Sequence, residues 1–182
     1  MRLPDKKTFL GPPSPWRLIA LLILLGVILS PFISLTEPIR CWLLRHEVLS
    51  ALDGASSAKV IEHSARFDSG FNPDYQEKVY ATLTLTPKQI DDLRDALPLS
   101  VDSDTSILKC IFEEHHRIEI TRKDGSVLVL HLCFHCGQAY VSEKDGKWLH
   151  EGIMPPAWPA SLRAFLSSLN LHPDGPWDNE SR

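Results

Sequence analysis

The stretch that decides the fold spans residues 107–137 and reads ILKCIFEEHHRIEITRKDGSVLVLHLCFHCG. Two runs rich in aliphatic residues flank the dipeptide Asp124-Gly125, a strong signal for a β-hairpin with a two-residue turn. Counting outward from that turn, His116 on the first strand faces Cys133 on the second. The stretch therefore predicts an antiparallel hairpin, and the register of that hairpin decides which side chains meet.

This register assigns a mixed set of side chains to one face of the hairpin, because side chains alternate between the two faces of a strand. That face is predicted to carry Cys110, His116, Ile118, Ile120, Val127, Val129, His131 and Cys133. Its apolar end is expected to join the core, and its other end collects sulfur and imidazole groups. A slip of one residue would exchange His116 for His115.

The pair Cys133 and Cys136 extends this cluster, since a Cys-x-x-Cys sequence followed by glycine can turn the chain so that both sulfurs approach one ion. Zinc takes four nitrogen or sulfur ligands in a tetrahedron. The predicted ligand set is Cys110, His116, Cys133 and Cys136, with His115 as the alternative imidazole. Zinc is thus the one cofactor that the sequence suggests.

Two other interpretations of the cysteines stay open. In an oxidising compartment, Cys110 could bond to Cys133 or Cys136 without a metal. The Cys-x-x-Cys pair could also act as a thiol redox centre or sensor. A thioredoxin-like motif opens a helix, however, whereas residues 138–141 after the motif have the character of a strand. Metal and disulfide are therefore equally compatible with the spacing, and redox activity is the alternative function.

The chain resembles small uncharacterised bacterial proteins, exported or membrane-anchored, in three pieces of this stretch: residues 110–116 (CIFEEHH), the turn Asp124-Gly125, and residues 132–137 (LCFHCG). Their pattern reads roughly C-F-x-P-[RH]-H, a hydrophobic strand, a turn such as D-G, and I-C-F-x-C. This chain departs from it at Glu114, where the pattern has proline. The resemblance implies that Cys110, His116, Cys133 and Cys136 belong together, and it implies no activity.

Signatures of catalysis are few. The sequence contains no Gly-rich phosphate loop, no HExxH and no GxSxG. Glu113 and Glu114 beside His115 and His116 could form an acid–base pair, but a polar run at a strand end more often marks a solvated face. The sequence therefore favours a non-catalytic binding or structural domain and leaves an enzymatic role open.

An apolar segment precedes this domain. Residues 18–35 read LIALLILLGVILSPFISL and carry no charge over eighteen positions, close to the roughly 20 residues that a transmembrane helix needs. Four basic residues precede the segment, whereas the charges of Glu37 and Arg40, which follow it, cancel each other. Positive flanks stay in the cytoplasm, so the N-terminus is predicted inside the cell and the rest of the chain outside the plasma membrane.

The residues that follow the apolar segment disfavour two other fates of the N-terminus. A cleaved signal peptide needs small residues at its cleavage site, and Thr36-Glu37-Pro38 is a poor match. Lipidation at Cys41 is disfavoured because Glu37-Pro38-Ile39-Arg40 lacks the small residues of a lipoprotein site. A single uncleaved span is therefore the prediction.

The remaining chain alternates helical and strand patterns. Helices are predicted over residues 39–53, 86–97 and 159–169, and strands over residues 58–64 and 77–85. Thr86 as N-cap, a proline after it and Gln89 three residues on form a capping box for the second helix. The fold class is therefore α+β, with one antiparallel sheet and two to three helices.

The predicted organisation has five parts. They are a cytoplasmic N-terminus (1–17), a transmembrane helix (18–35), a juxtamembrane helix (36–57), an extracytoplasmic α+β domain (58–171) and a flexible tail (172–182). The net charge of the whole chain is −4. Residues 1–17 have a net charge of +3, so residues 18–182 have a net charge of −7. That excess of acid excludes a nucleic-acid surface. The expected partners are the membrane and an unidentified protein of the bacterial envelope.

Overall fold

The computed structural model describes Ile19 and residues 36–65, 74–98, 112–155 and 157–175. Within these ranges the chain forms three helices and six strands, which are α1 (Thr36–Asp53), β1 (Ala55–His63), β2 (Val79–Thr84), α2 (Pro87–Asp95), β3 (His116–Arg122), β4 (Val127–Cys133), β5 (Gln138–Glu143), β6 (Trp148–Ile153) and α3 (Ala157–Ser168). The α+β class is confirmed. The predicted span of residues 18–35 lies outside the described residues except for Ile19, and no helix of the described part has the length and apolar character to cross a bilayer.

All six strands belong to one antiparallel sheet in the order β2-β1-β3-β4-β5-β6. Strands β3 to β6 follow one another as hairpins, and β1 joins them through β3. The predicted elements are therefore confirmed with ends shifted by a few residues, including the capping box of α2, where Thr86 and Gln89 exchange both bonds.

The hairpin between β3 and β4 differs from the prediction by one residue. Its loop holds three residues, Lys123-Asp124-Gly125, because the Arg122 amide donates to the Ser126 carbonyl at 2.8 Å. Gly125 has a φ of +85°, as a three-residue loop requires at its last, left-handed position. The two-residue turn is therefore wrong, and His116 pairs with Leu132 instead of Cys133.

This shift changes which face of β4 is buried. His116, Ile118 and Ile120 share the helix-covered face with Leu128, Leu130 and Leu132, and all six side chains are fully buried. His131 and Cys133, which the sequence analysis placed with His116, leave β4 on the opposite face. The predicted mixed face is therefore wrong, and the helix-covered face of β4 is uniformly apolar.

The loop between β5 and β6 repeats the same construction. Lys144-Asp145-Gly146 has the same three residues, Gly146 has a φ of +86°, and the Glu143 amide donates to the Lys147 carbonyl at 2.9 Å. The aspartates of the two loops accept from the next-but-one amide, at 2.9 Å for Asp124 and 3.0 Å for Asp145. Two identical turns therefore set the register of four consecutive strands.

Replacing Gly125 with alanine is expected to lower the free energy of unfolding by about 1–2 kcal/mol, the cost of a left-handed conformation for an L-residue. An added Cβ there meets no atom within 4 Å, so the cost is that of the backbone alone. Gly54→Ala is the matched control, since Gly54 lies outside the left-handed region. Urea denaturation compares the variants, and equal stability of the two would contradict the turn assignment.

The core lies between the three helices and one face of the sheet. Its helical part consists of side chains that point inward from α1, α2 and α3: Leu44, Val48, Ala51, Leu52, Leu93, Trp158, Leu162, Phe165 and Leu166. Leu162, Phe165 and Leu166 of α3 are buried and recur at helical spacing. Helix α1 packs in the same core as the strands.

The C-terminal end of α2 is fixed by its neighbours. Three carbonyls there accept side-chain hydrogen bonds, from Arg45 Nε to Leu97 at 2.8 Å, from Trp158 Nε1 to Pro98 at 3.0 Å and from Ser161 Oγ to Ala96 at 2.6 Å. The last carbonyls of a helix have no partner within it. Here α1 and α3 supply the missing donors, so α2 is tied to both.

Candidate functional site

The turn between β4 and β5 carries the Cys-x-x-Cys pair. Gly137 has a φ of +62° at the end of this turn, which lets the chain reverse within four residues. The sulfurs of Cys133 and Cys136 lie 3.0 Å apart. Cys136 is disulfide-bonded, whereas Cys133 is a thiol. A thiol therefore touches a sulfur that already belongs to a disulfide.

Two backbone amides are directed at the Cys133 sulfur. The Glu113 amide donates to it at 3.4 Å and the Cys136 amide at 3.3 Å. The side chain of Cys133 has no exposed surface, and that of Cys136 is nearly buried. The Cys133 sulfur therefore accepts two backbone hydrogen bonds inside the domain.

Helix α3 holds the turn in place through Arg163. Its guanidinium donates to the Phe134 carbonyl at 3.2 Å and lies 5.0 Å from the centre of the Phe134 ring. Asp174 accepts from the same guanidinium at 2.7 Å. A pocket of about 280 Å³ opens beside these groups. The turn is therefore packed against the domain.

The structure brings together part of the predicted zinc set. Cys133 and Cys136 are adjacent, but His116 is fully buried on the helix-covered face, with its ring 5.8 Å from Phe134. His115 is nearly buried and lines the pocket, and Cys110 lies outside the described residues. Among the residues that are described, no three His, Cys, Asp or Glu side chains are arranged to hold a metal.

A second cluster lies on the sheet face opposite the helices, and it centres on Glu114. One carboxylate oxygen is 3.3 Å from Nε2 of His63, and the other is 2.8 Å from Nδ1 of His131. The Tyr140 hydroxyl donates to the second oxygen at 3.4 Å. His131 stacks on Tyr140, which stacks in turn on the exposed ring of Trp148. A nearly buried carboxylate is therefore enclosed by two imidazoles and a phenol.

The hydrogen bonds of His63 fix its protonation. Nδ1 lies 3.0 Å from the Ser64 carbonyl, and Nε2 faces the Glu114 carboxylate. Both oxygens can only accept when Glu114 is ionised, so the doubly protonated ring satisfies both contacts. Burial alone would lower the pKa of His63, but its contacts with Glu114 and Ser64 raise it overall.

The pKa of Glu114 is shifted in the opposite direction to that of His63. Burial alone would raise the pKa of its carboxyl group, but the contacts with His131 and His63 lower it to about 2. The desolvated carboxylate is thus kept charged by the two imidazoles that touch it. The same charge, together with burial, raises the pKa of Tyr140.

Sequence reasoning missed this cluster. The acid–base pair it considered joined Glu113 and Glu114 to His115 and His116, and only Glu114 belongs to the cluster found here. His131 was assigned to the opposite face by the register error. The repeated Lys-Asp-Gly triplet at residues 123–125 and 144–146 was the signal that could have corrected that register, because both copies precede a strand.

Comparisons of the chain with protein-family models, curated proteins and solved structures find no match. The resemblance carried by residues 110–137 stays a prediction. The two clusters, one of sulfur and one of imidazole and carboxylate, are what the described residues offer toward a function.

Proposed function

We propose that the chain is a single-pass protein of the bacterial plasma membrane, with residues 18–35 as its transmembrane helix. Its N-terminus is cytoplasmic, and its α+β domain lies outside the membrane. Support comes from eighteen uncharged positions and from the basic residues ahead of them. The acidic charge of the remaining chain agrees with the absence of a nucleic-acid partner.

Within this domain we propose that Cys133 and Cys136 form a centre for thiol–disulfide exchange. One observation carries the proposal, namely the 3.0 Å between the Cys133 sulfur and the disulfide-bonded Cys136 sulfur. Exchange proceeds by attack of a thiolate on a disulfide sulfur, and the thiol is already at van der Waals contact or closer. The two amides that donate to the Cys133 sulfur hold it in this position.

The step conserves oxidation state. The Cys133 thiolate attacks the Cys136 sulfur, a Cys133–Cys136 bond forms, and the bond between Cys136 and its partner breaks. We propose Cys110 as that partner, since sequence spacing groups it with these two cysteines. The released sulfur leaves as a thiolate and takes up the proton that Cys133 has lost. After the step, the free thiol of the centre is Cys110 instead of Cys133, and an external thiol of a partner protein meets the Cys133–Cys136 disulfide.

We expect both disulfides in the purified full chain. After rapid alkylation at low pH, peptide mapping without reduction should find Cys110–Cys136 and Cys133–Cys136 pairs, in a ratio that shifts with mild dithiol. Cys133→Ser should leave one disulfide only, and Cys41→Ser is the matched control, expected to change nothing. A single disulfide in the wild-type chain under all these conditions would refute exchange.

A second candidate is a non-catalytic domain that binds an envelope partner and uses the cysteines as a staple, with zinc or a permanent disulfide. The packing of the turn favours it, because Arg163 fixes Phe134 inside the Cys-x-x-Cys loop. One zinc per chain, with Cys110, Cys133 and Cys136 protected from alkylation and His116 required for retention, would support this candidate and exclude exchange.

A further inference from the structure

The environment of His131 contains a third contact, on the ring nitrogen that does not face Glu114. Its Nε2 lies 2.9 Å from the Ser142 hydroxyl, while Nδ1 lies 2.8 Å from the Glu114 carboxylate. Ser142 pairs with Val129 and His131 pairs with Tyr140, so the two side chains are diagonal neighbours on one face of the sheet. Diagonal neighbours are within reach of long side chains. A hydroxyl, an imidazole and a carboxylate are thus successive neighbours; Nε2 is hydrogen-bonded to the hydroxyl, whereas Nδ1 approaches the carboxylate without the angle of a hydrogen bond.

Proton positions follow from the chemistry of the partners. The ionised Glu114 only accepts, so the proton of a neutral His131 ring belongs on Nδ1. Nε2 then carries a lone pair, and the Ser142 hydroxyl donates to it. A nucleophile, a base and a group that orients the base, each within hydrogen-bond reach of the next, are the requirements for an activated hydroxyl.

The Glu114 carboxylate is held by two further side chains. His63 faces its first oxygen at 3.3 Å, and the Tyr140 hydroxyl donates to its second at 3.4 Å. The carboxylate is therefore fixed at the end of the imidazole, where it stabilises the positive charge that His131 gains on taking a proton. His63 keeps the acid ionised and takes no part in the series of three neighbours itself.

The nucleophile lies at an irregularity of the sheet. The pairing of β5 with β6 shifts between Val141 and Ser142, so that Ser142 pairs with Trp148. A β-bulge re-aims the side chains beside it and often adjoins an active site. Ser142 itself is 4 % exposed and Trp148 is 59 % exposed. The hydroxyl lies just beneath the surface next to an exposed aromatic ring, and the proposal is therefore restricted to small acyl groups.

We propose that Ser142, His131 and Glu114 form a nucleophilic triad that transfers small acyl groups from esters to water. The Ser142 oxygen attacks the ester carbonyl, and its proton passes to Nε2 of His131. The imidazolium returns that proton to the departing alkoxide, leaving an acyl-serine. Water then attacks the acyl carbon, gives a proton to His131, and the proton returns to Ser142 as the acid is released. This activity is independent of the cysteine centre.

Fluorophosphonate labelling of the full chain tests the triad, since the reagent forms a covalent adduct with activated serines. Mass mapping is expected to place the adduct on Ser142. Ser64 is the matched internal control: it is equally buried at 3 % exposure, but its hydroxyl contacts Tyr75 at 2.7 Å instead of a histidine. Labelling of neither serine, under conditions that label a known serine hydrolase, would overturn the proposal.

Variants separate an activated hydroxyl from a structural one. Ser142→Ala should abolish the adduct and reduce hydrolysis of p-nitrophenyl acetate by about 100-fold or more, the scale of general-base catalysis. His131→Gln should reduce labelling of Ser142 by a similar factor, and unchanged labelling would refute the role of the imidazole. Cys41→Ser should label like the wild type. Labelling reports on Ser142 and peptide mapping reports on the disulfides, so a failure of the triad is distinguishable from a failure of thiol exchange.

Discussion

Replacing Glu114 with glutamine is expected to lower the free energy of unfolding by about 3 kcal/mol, the lower end of the cost of breaking a buried ion pair. The His63 side chain is 4 % exposed and that of Glu114 is 17 % exposed, so solvent screens their contact weakly. The variant keeps the shape of the side chain and removes its charge. It removes the nearer of the two carboxylates that face His63, since Glu77 lies 3.6 Å from Nδ1.

The size of this loss should depend on pH in a defined window. The pKa of Glu114 is lowered to about 2, so its contribution is complete above 4.5 and disappears as pH falls through about 2. The pKa of His63 is raised, so its contribution is complete below 6.5 and disappears as pH rises through the raised value. The difference between wild type and variant should therefore be largest between pH 4.5 and 6.5.

Glu113→Gln is the matched control, because it makes the same change one residue away in a side chain outside the Glu114 cluster. Urea denaturation of the full chain, with all variants in the same detergent, gives the unfolding free energies at each pH. The control should differ from the wild type by about 0.5 kcal/mol or less at every pH. A Glu114→Gln loss of the same size at all pH values would show that charge does not hold the cluster.

Replacing Trp158 with alanine is expected to cost about 4 kcal/mol, within the range for large aromatic side chains in a core. Trp158 has no exposed surface and, like Ser161, joins α3 to the chain that follows α2, through the bond from Nε1 to the Pro98 carbonyl at 3.0 Å. The change both opens a cavity and leaves that carbonyl without its side-chain donor. The marginal stability of a domain makes this a large fraction of the total.

Two further variants divide this loss into its causes. Trp158→Phe keeps most of the ring and removes the donor, so it should cost about 1–2 kcal/mol. Trp42→Ala makes the same substitution at a side chain that is 52 % exposed, and it should cost about 0.5 kcal/mol or less. Equal losses for Trp158→Ala and Trp42→Ala, measured by urea denaturation, would show that α3 does not close the core.

Local chemistry made the helices and the fold class predictable. The capping box at Thr86 and Gln89 marks the start of α2, and the inward residues of α3 recur at helical spacing. These signals act within one or two turns of chain, so they survive in a sequence read without a structure. Strand pairing offers no comparable local signal, because a shift of one residue leaves the apolar pattern of β4 equally plausible on either face.

The candidate sites depended on that shift and were predicted less well. The approach of Cys133 to Cys136 follows from their spacing in one turn, so it was expected. Glu114 meets His63 and His131 only because β1 and β4 lie on either side of β3. The residues next to Glu114 in the sequence do not indicate these two contacts. Such contacts depend on the pairing of strands that are far apart in the sequence, and a single sequence does not show which strands pair.

The two Lys-Asp-Gly loops tolerate substitutions better than insertions or deletions. Substitutions at the lysine and aspartate positions alter stability less than loss of the left-handed glycines, but insertion or deletion of one residue at 123–125 would turn Leu128, Leu130 and Leu132 toward solvent and His131 toward the core. Outside the two glycines, the residues of these loops can therefore vary, whereas the number of residues cannot. Natural variants of this protein should differ in loop residues while keeping three positions between Arg122 and Ser126, and an indel there should be found only with a compensating one in a neighbouring loop.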